Sequence, residues 1–471
     1  MNGWPLVLQF LYIALFIGIA FILKLNFKFL RKHLIPTSMI AGGLAFLFGK
    51  EAFGALTGAI FGTAVYVPFD QTVLFTSVTH LMSIGFIALA LKDRVGGNNR
   101  DVFRSGFGIV NTYLWQAIVG FGVTLFLAKT FFPQISAIFG LLLPLSFAQG
   151  PGQATSIGSQ WNASGVVPGG ANIGAMLATI GFLWAIIAGI IMMNILVKKR
   201  KFKIDGDVEH VESIDSDKPV AHTSSIPKTA FIDDFTIQII LLACVYLLTY
   251  GVVEGLVYIL QPLGTFGETL GGLFRGFMFL FGTLIAVGVK SIFKRLRGKG
   301  IMKVNYVDNY LMQKISAVCF DFMITASIAA LSFSALGHYG WPIVILTTVG
   351  GIFTVFYTIF MCKFMYKNEV LENTMAMFGM WTGTVTTGVA LLKEVDPSGK
   401  SSVTDNLVLG SGIAAPFGLP LMMILAIPVT GVLDDKPWLF GLTFVLFIAY
   451  SAVMMFAIHV LNKRDAKDAA K

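Results

Sequence analysis

Two stretches, Phe147–Trp161 (FAQGPGQATSIGSQW) and Phe378–Leu392 (FGMWTGTVTTGVALL), gather Gly, Ser, Thr and Gln inside a chain that is otherwise apolar. Hydroxyl, carboxamide and freed backbone carbonyl oxygens are the hard ligands a small cation takes. Helix N-termini beside them offer unpaired N–H groups and partial positive charge to an anion. On this reading Gln149, Gly150, Gly152, Gln153, Thr155 and Ser156 of the first stretch are candidate ligand-binding residues. Thr382, Gly383 and Thr384 of the second join them, together with the amide of Asn172. Thr386, Thr387, Asp321 and Thr79 are the candidate cation ligands. An anionic ligand held this way needs no buried Arg or Lys.

These residues must be positioned by elements that live in lipid. The chain has 471 residues, 56% hydrophobic and only 13% charged, with mean hydropathy +0.78. Soluble domains carry roughly 25% charged residues. Between Thr130 and Val197 there is no Asp, Glu, Lys or Arg, long enough for more than two crossings at roughly 20 residues each. The expected class is therefore an all-α polytopic membrane protein. Its net charge of +9 sits in clusters between apolar runs, the pattern that orients spans rather than one that binds nucleic acid. Cys244, Cys319 and Cys362 have no metal or disulfide spacing and read as small core residues. HExxH, paired membrane aspartates and a matched Ser/His pair are all missing, so the chain is not read as an enzyme.

Apolar runs place spans at 5–23, 36–50, 71–91, 105–130 and 170–197, then at 234–260, 269–289, 313–335, 341–362, 406–432 and 437–461. The segment 51–70 is an apolar connector or a further helix. Basic residues test the count. Lys24–Lys32, the Lys92–Arg104 loop and Lys198–Lys201 fall on one side, as do Lys290–Arg297, Lys363–Lys367 and Lys463–Lys467. The rule puts that side in the cytoplasm and the N-terminus outside. It holds throughout only where the two polar stretches lie in re-entrant hairpins, near 140–165 and 372–395, entering from opposite faces. Four regions follow: an N-terminal repeat over 1–200, a polar cytoplasmic linker over 201–232, a C-terminal repeat over 233–432, and an additional helix with a tail over 433–471.

Laying the second half on the first brings Phe147, Gly152 and Thr155 onto Phe378, Gly383 and Thr386. A second alignment brings Gln71 onto Gln313 and Thr79 onto Asp321. The same order of elements recurs with opposite orientation, which is the sequence sign of an inverted repeat and of alternating access. Asp321, an acid well inside a span, is a candidate to ligate a cation, relay a proton or bind an ammonium. The same residue serves equally as a hydrogen-bonded link between helices. His80 reads as a cavity histidine, and Glu254 with Arg275 as an ion pair near the outer membrane edge. Asn172 fits a cavity amide or an interhelical hydrogen bond.

LIPTSMIAGG (34–43), SIGFIALALKD (83–93), QAIVGFGVTL (116–125) and the two Gly-rich stretches together resemble the glutamate:sodium symporter family. The resemblance implies two five-helix inverted repeats with re-entrant loops, a homodimer in the bacterial inner membrane, and uptake of glutamate, an acidic amino acid, driven by sodium. No cofactor is implied beyond sodium as the coupling ion. The alternative is a proton- or sodium-coupled transporter of another amino acid or organic anion.

Overall fold

Chains this apolar satisfy their backbone polar groups locally, because lipid offers no replacement partners. The computed structural model describes residues 4–28, 30, 35–92, 100–200, 232–396 and 401–468, and every regular element among them is helical. The linker at 201–231 and the basic positions Arg31, Lys32 and Arg94 lie outside the described residues.

The first half contains α1 (Trp4–Asn26), α2 (Thr37–Leu47), a π turn (Lys50–Gly54), α3 (Ala55–Phe61), α4 (Gln71–Leu91) and α5 (Arg100–Thr130). The short helices α6 (Leu142–Phe147) and α7 (Pro151–Ala163) follow, then α8 (Gly170–Arg200). The second half contains α9 (Asp234–Leu260), α10 (Gly264–Gly276), α11 (Met278–Gly298), α12 (Asn309–Ala329) and α13 (Gly340–Met365). The short pair α14 (Val370–Trp381) and α15 (Val385–Val395) precedes α16 (Val403–Leu433) and α17 (Trp438–Asp468).

Among the described residues, ten helical segments are long and apolar enough to cross a bilayer. The protein is a multi-pass helical membrane protein. All ten overlap expected spans, and the eleventh expected span, 269–289, is not among them. The span expected to stop near residue 50 continues through the π turn to Phe61, which makes much of the 51–70 connector helical. The span expected at 313–335 ends at Ala329. The span expected at 269–289 is broken: α9 runs through a 3-10 turn into α10, and a new helix begins at Met278. The break has a tertiary cause. A Cβ on Gly276 would lie 2.4 Å from Cδ1 of Ile157, and the Gly276 carbonyl accepts a 2.8 Å bond from Ser156 instead of a bond from its own helix. Cys319 and Cys362 are buried as expected, while Cys244 lies on an exposed face of α9.

Helices in lipid gain little from hiding apolar surface, so close packing through small residues carries the association. Gly120 of α5 and Gly140 meet backbone to backbone, where a Cβ on either would come within 2.2 Å of the other's carbonyl oxygen. Gly158 and Gly170 join α7 to α8 in the same way. Two packing groups result. In one, α4 and α12 lie side by side, flanked by α1, α2, α9 and α11. In the other, α5 packs on α16, α17 and α13 and surrounds the four short helices with α8. The groups meet where α7 rests on α4 and α12, and where α10 and α11 touch α16. Large apolar side chains such as Trp341, Leu247 and Phe356 remain exposed on the outside, as a lipid-facing surface requires.

Candidate functional site

Each polar stretch is two short helices joined by a tight break. Gly150 makes the first break with φ 85° and ψ 179°, a backbone region essentially closed to side-chain-bearing residues. Pro151 then opens α7 at a position where a missing N–H loses no bond. The second break ends at Thr384, whose hydroxyl and that of Thr387 form a reciprocal capping box on α15. Thr384 Oγ1 lies 2.7 Å from Thr386 Oγ1 and 3.0 Å from Thr387 Oγ1. Three of the expected threonines thus form one hydroxyl cluster at a helix N-terminus.

The two breaks touch. A Cβ on Gly150 would sit 3.1 Å from Cγ2 of Thr384 and 3.5 Å from the Gly383 carbonyl oxygen. Helix α8 passes both: a Cβ on Gly181 would come 2.6 Å from the Thr382 carbonyl and 3.0 Å from the Phe147 ring. Gln116, buried in α5, donates from Nε2 to the Trp381 carbonyl at 2.9 Å and to Thr354 Oγ1 at 3.0 Å. Its Oε1 has no hydrogen-bond partner among the described residues. On the other side, Gly152 at the start of α7 faces the sulfurs of Met82 and Met323 from α4 and α12, which a Cβ would approach to 2.6 and 2.7 Å. Gln153 is 5% exposed, and its Oε1 also lacks a hydrogen-bond partner among the described residues. None of these residues at the tips carries a formal charge. The N-termini of α7 and α15 are adjacent, each with unclaimed N–H groups in its first turn. That suits a carboxylate, while the hydroxyl cluster and the Thr382 and Gly383 carbonyls supply oxygens for a cation.

The remaining candidates go elsewhere. Thr155 and Thr382 return their hydroxyls to their own helices, onto Pro151 and Phe378 carbonyls at 2.8 and 2.7 Å. Ser156 is committed to Gly276. Asn172 makes the interhelical bond: Nδ2 donates to the Ser332 carbonyl at 2.6 Å, and Ser332 N donates back to Oδ1 at 2.8 Å. It closes the frayed end of α12, with the Ser332 hydroxyl also donating to Glu51. Asp321 lies beside Ser38 of α2. Lys24 lies within electrostatic reach of both Asp321 and Lys393 of α15, which ties this acid to the C-terminal end of α15. Thr79 bonds within α4 and lines a separate cavity of ≈ 600 Å³ with His80, Ser156, Tyr246, Glu254 and Arg275.

Gln116, Met82 and Met323 escaped the sequence reading. Gln116 carried a usable signal, a carboxamide within an apolar span, whereas the methionines were indistinguishable from packing residues. The Gly276 break gave no signal, because its cause is a contact with a residue far away in sequence. Comparison with known proteins adds no name: no family model, no curated protein and no solved structure matches this chain.

Proposed function

We propose that the protein is a secondary active transporter that takes up an acidic amino acid, glutamate, by sodium-coupled symport and alternating access. The single observation carrying this reading is the contact of the two polar breaks at Gly150 and Thr384. Two helix N-termini meeting inside an apolar bundle make a central site of the kind broken helices build in transporters. On this proposal the two short pairs are re-entrant hairpins from opposite faces, and the halves are inverted repeats. The pairing of α4 with α12 supports the repeat. Gln71 donates to the Ala330 carbonyl at 3.0 Å, and its mate Gln313 accepts from Lys92 at 2.6 Å. Each mate therefore reaches the far end of the other's helix. The division into two packing groups, with the breaks inside one of them, supports movement of that group against the other. We further propose a homodimer in the bacterial inner membrane, with the N-terminus outside and the C-terminus cytoplasmic.

Purified protein in proteoliposomes should accumulate L-glutamate only under an inward sodium gradient. Uptake driven by a proton gradient and indifferent to sodium would replace the coupling ion. The absence of glutamate uptake under either gradient would overturn the substrate. Mass measurement in mild detergent should give twice 51.1 kDa.

A further inference from the structure

The Glu254–Arg275 pair lines a cavity. Glu254 lies about two turns before the end of α9, and Arg275 sits one residue before the break that separates α10 from α11. Antiparallel packing sets them opposite each other. Arg275 Nε donates to Glu254 Oε1 at 2.8 Å and Nη2 to Oε2 at 2.7 Å. Charged groups within a span belong to water-filled cavities or protein interiors and mark function by default. Both side chains are partly exposed, 46% for Arg275 and 33% for Glu254, and both line the ≈ 600 Å³ cavity between α4, α7, α9 and α10.

A guanidinium has five N–H donors in a fixed fork. The bidentate contact with Glu254 uses one on Nε and one on Nη2, so Glu254 does not claim the Nη1 edge. The carboxylate has lone pairs beyond the two it shares. The pair is neutral as a unit, so a ligand of net charge would leave an uncompensated charge at this depth, whereas a zwitterion would not. We infer that this cavity is a second binding site, for a zwitterion whose anionic group takes the free edge of Arg275 and whose ammonium takes Glu254. The walls fit such a guest: Thr79 and Gln160 are polar, Tyr250 is aromatic, and His80 is held by Tyr246 with Nδ1 2.5 Å from the hydroxyl. The side wall is α7, whose N-terminus forms the first polar break, so an occupant would touch the element that carries the proposed transport site. Free α-amino acids and the phosphoethanolamine headgroup of a membrane lipid share this chemistry.

The test measures binding in potassium chloride without sodium, where a sodium-coupled central site is not loaded. Failure here therefore leaves the proposed transport reading standing, and the reverse also holds. Delipidated protein in detergent is titrated with L-glutamine, glycerophosphoethanolamine and glutarate, an anion that lacks the ammonium. Native mass spectrometry then compares retention of phosphatidylethanolamine and phosphatidylglycerol. Either zwitterion should bind about tenfold or more tightly than glutarate. Preference for glutamine identifies a free amino acid, and preference for glycerophosphoethanolamine with retained phosphatidylethanolamine identifies the headgroup. Arg275→Gln and Glu254→Gln should each abolish that preference. Because each strands a charge, the double variant Glu254→Gln/Arg275→Gln is measured beside them; it should keep a monodisperse elution profile and lose zwitterion binding. Glutarate binding equal to both zwitterions, no binding of either zwitterion, or wild-type binding by the double variant overturns the site.

Discussion

Replacing Gly150 by Ala probes the meeting of the two breaks with a single methyl group. The residue holds φ 85° and ψ 179°, a conformation that costs a side-chain-bearing residue about 1–3 kcal/mol. The new Cβ would also press to 3.1 Å on Thr384 Cγ2, tighter than ordinary contact, so the strain falls on the touching arrangement of the tips. If that arrangement is the one that binds substrate, its population falls by the same free energy, which lowers apparent affinity about 5- to 150-fold. The assay is concentration-dependent glutamate uptake into proteoliposomes, paired with thermal stability read by fluorescence-detected size exclusion. Gly122→Ala in α5, where a Cβ meets nothing within 4 Å, is the matched control and should be neutral or stabilising by up to about 1 kcal/mol. A Gly150→Ala protein with wild-type stability and wild-type uptake would refute the tip geometry from which the site is built.

Asn172→Ala should destabilise the protein by about 1–3 kcal/mol by removing both buried bonds to the Ser332 backbone; thermal melting of the purified variant checks this. Arg104 is buried and bonds Asn462 at 2.9 Å, with ion pairs to Asp101 and Asp465. Arg104→Met should weaken the docking of α17 on α5 by about 3 kcal/mol, at the lower end for broken buried pairs because Asp465 is partly exposed. Adding Asp465→Leu should recover most of that loss in the same melting assay. Thr384→Val removes the α15 cap and should cost about 0.5–2 kcal/mol, whereas Thr386→Val, at an exposed position, should leave melting unchanged and lower sodium-driven uptake. Unchanged uptake by Thr386→Val would remove the hydroxyl cluster from the cation site.

The membrane class and most spans were legible because lipid imposes a length and a composition that a single sequence must display. The two polar breaks were legible for the same reason, since Gly150, Pro151 and Thr384 violate the rule their surroundings obey. What lay hidden depends on partners from the other half of the chain. The break at Gly276 exists because Ile157 and Ser156 press on it, and no periodicity within 269–289 reports that. The role of Asn172 was open until Ser332, 160 residues away, appeared opposite it. Asp321 was expected as a cation ligand with Thr386 and Thr387, and the neighbours the structure gives it, Ser38 and Lys24, come from α2 and α1, which spacing alone does not report.

The bond from Gln116 to the Trp381 carbonyl spans 265 residues of sequence, and this distance is also an interval of time. At about 5–20 residues per second of synthesis, the amide of Gln116 enters the membrane roughly 10 to 50 s before its partner exists. During that interval α5, α6, α7 and α8 can close upon one another through Gly120, Gly140, Gly158 and Gly170, but their central amide must be kept by water or by the insertion machinery. The first half therefore emerges as a shaped half-site awaiting its complement. An arrested chain ending before Trp381 should be the point at which newborn protein is held longest and most readily degraded.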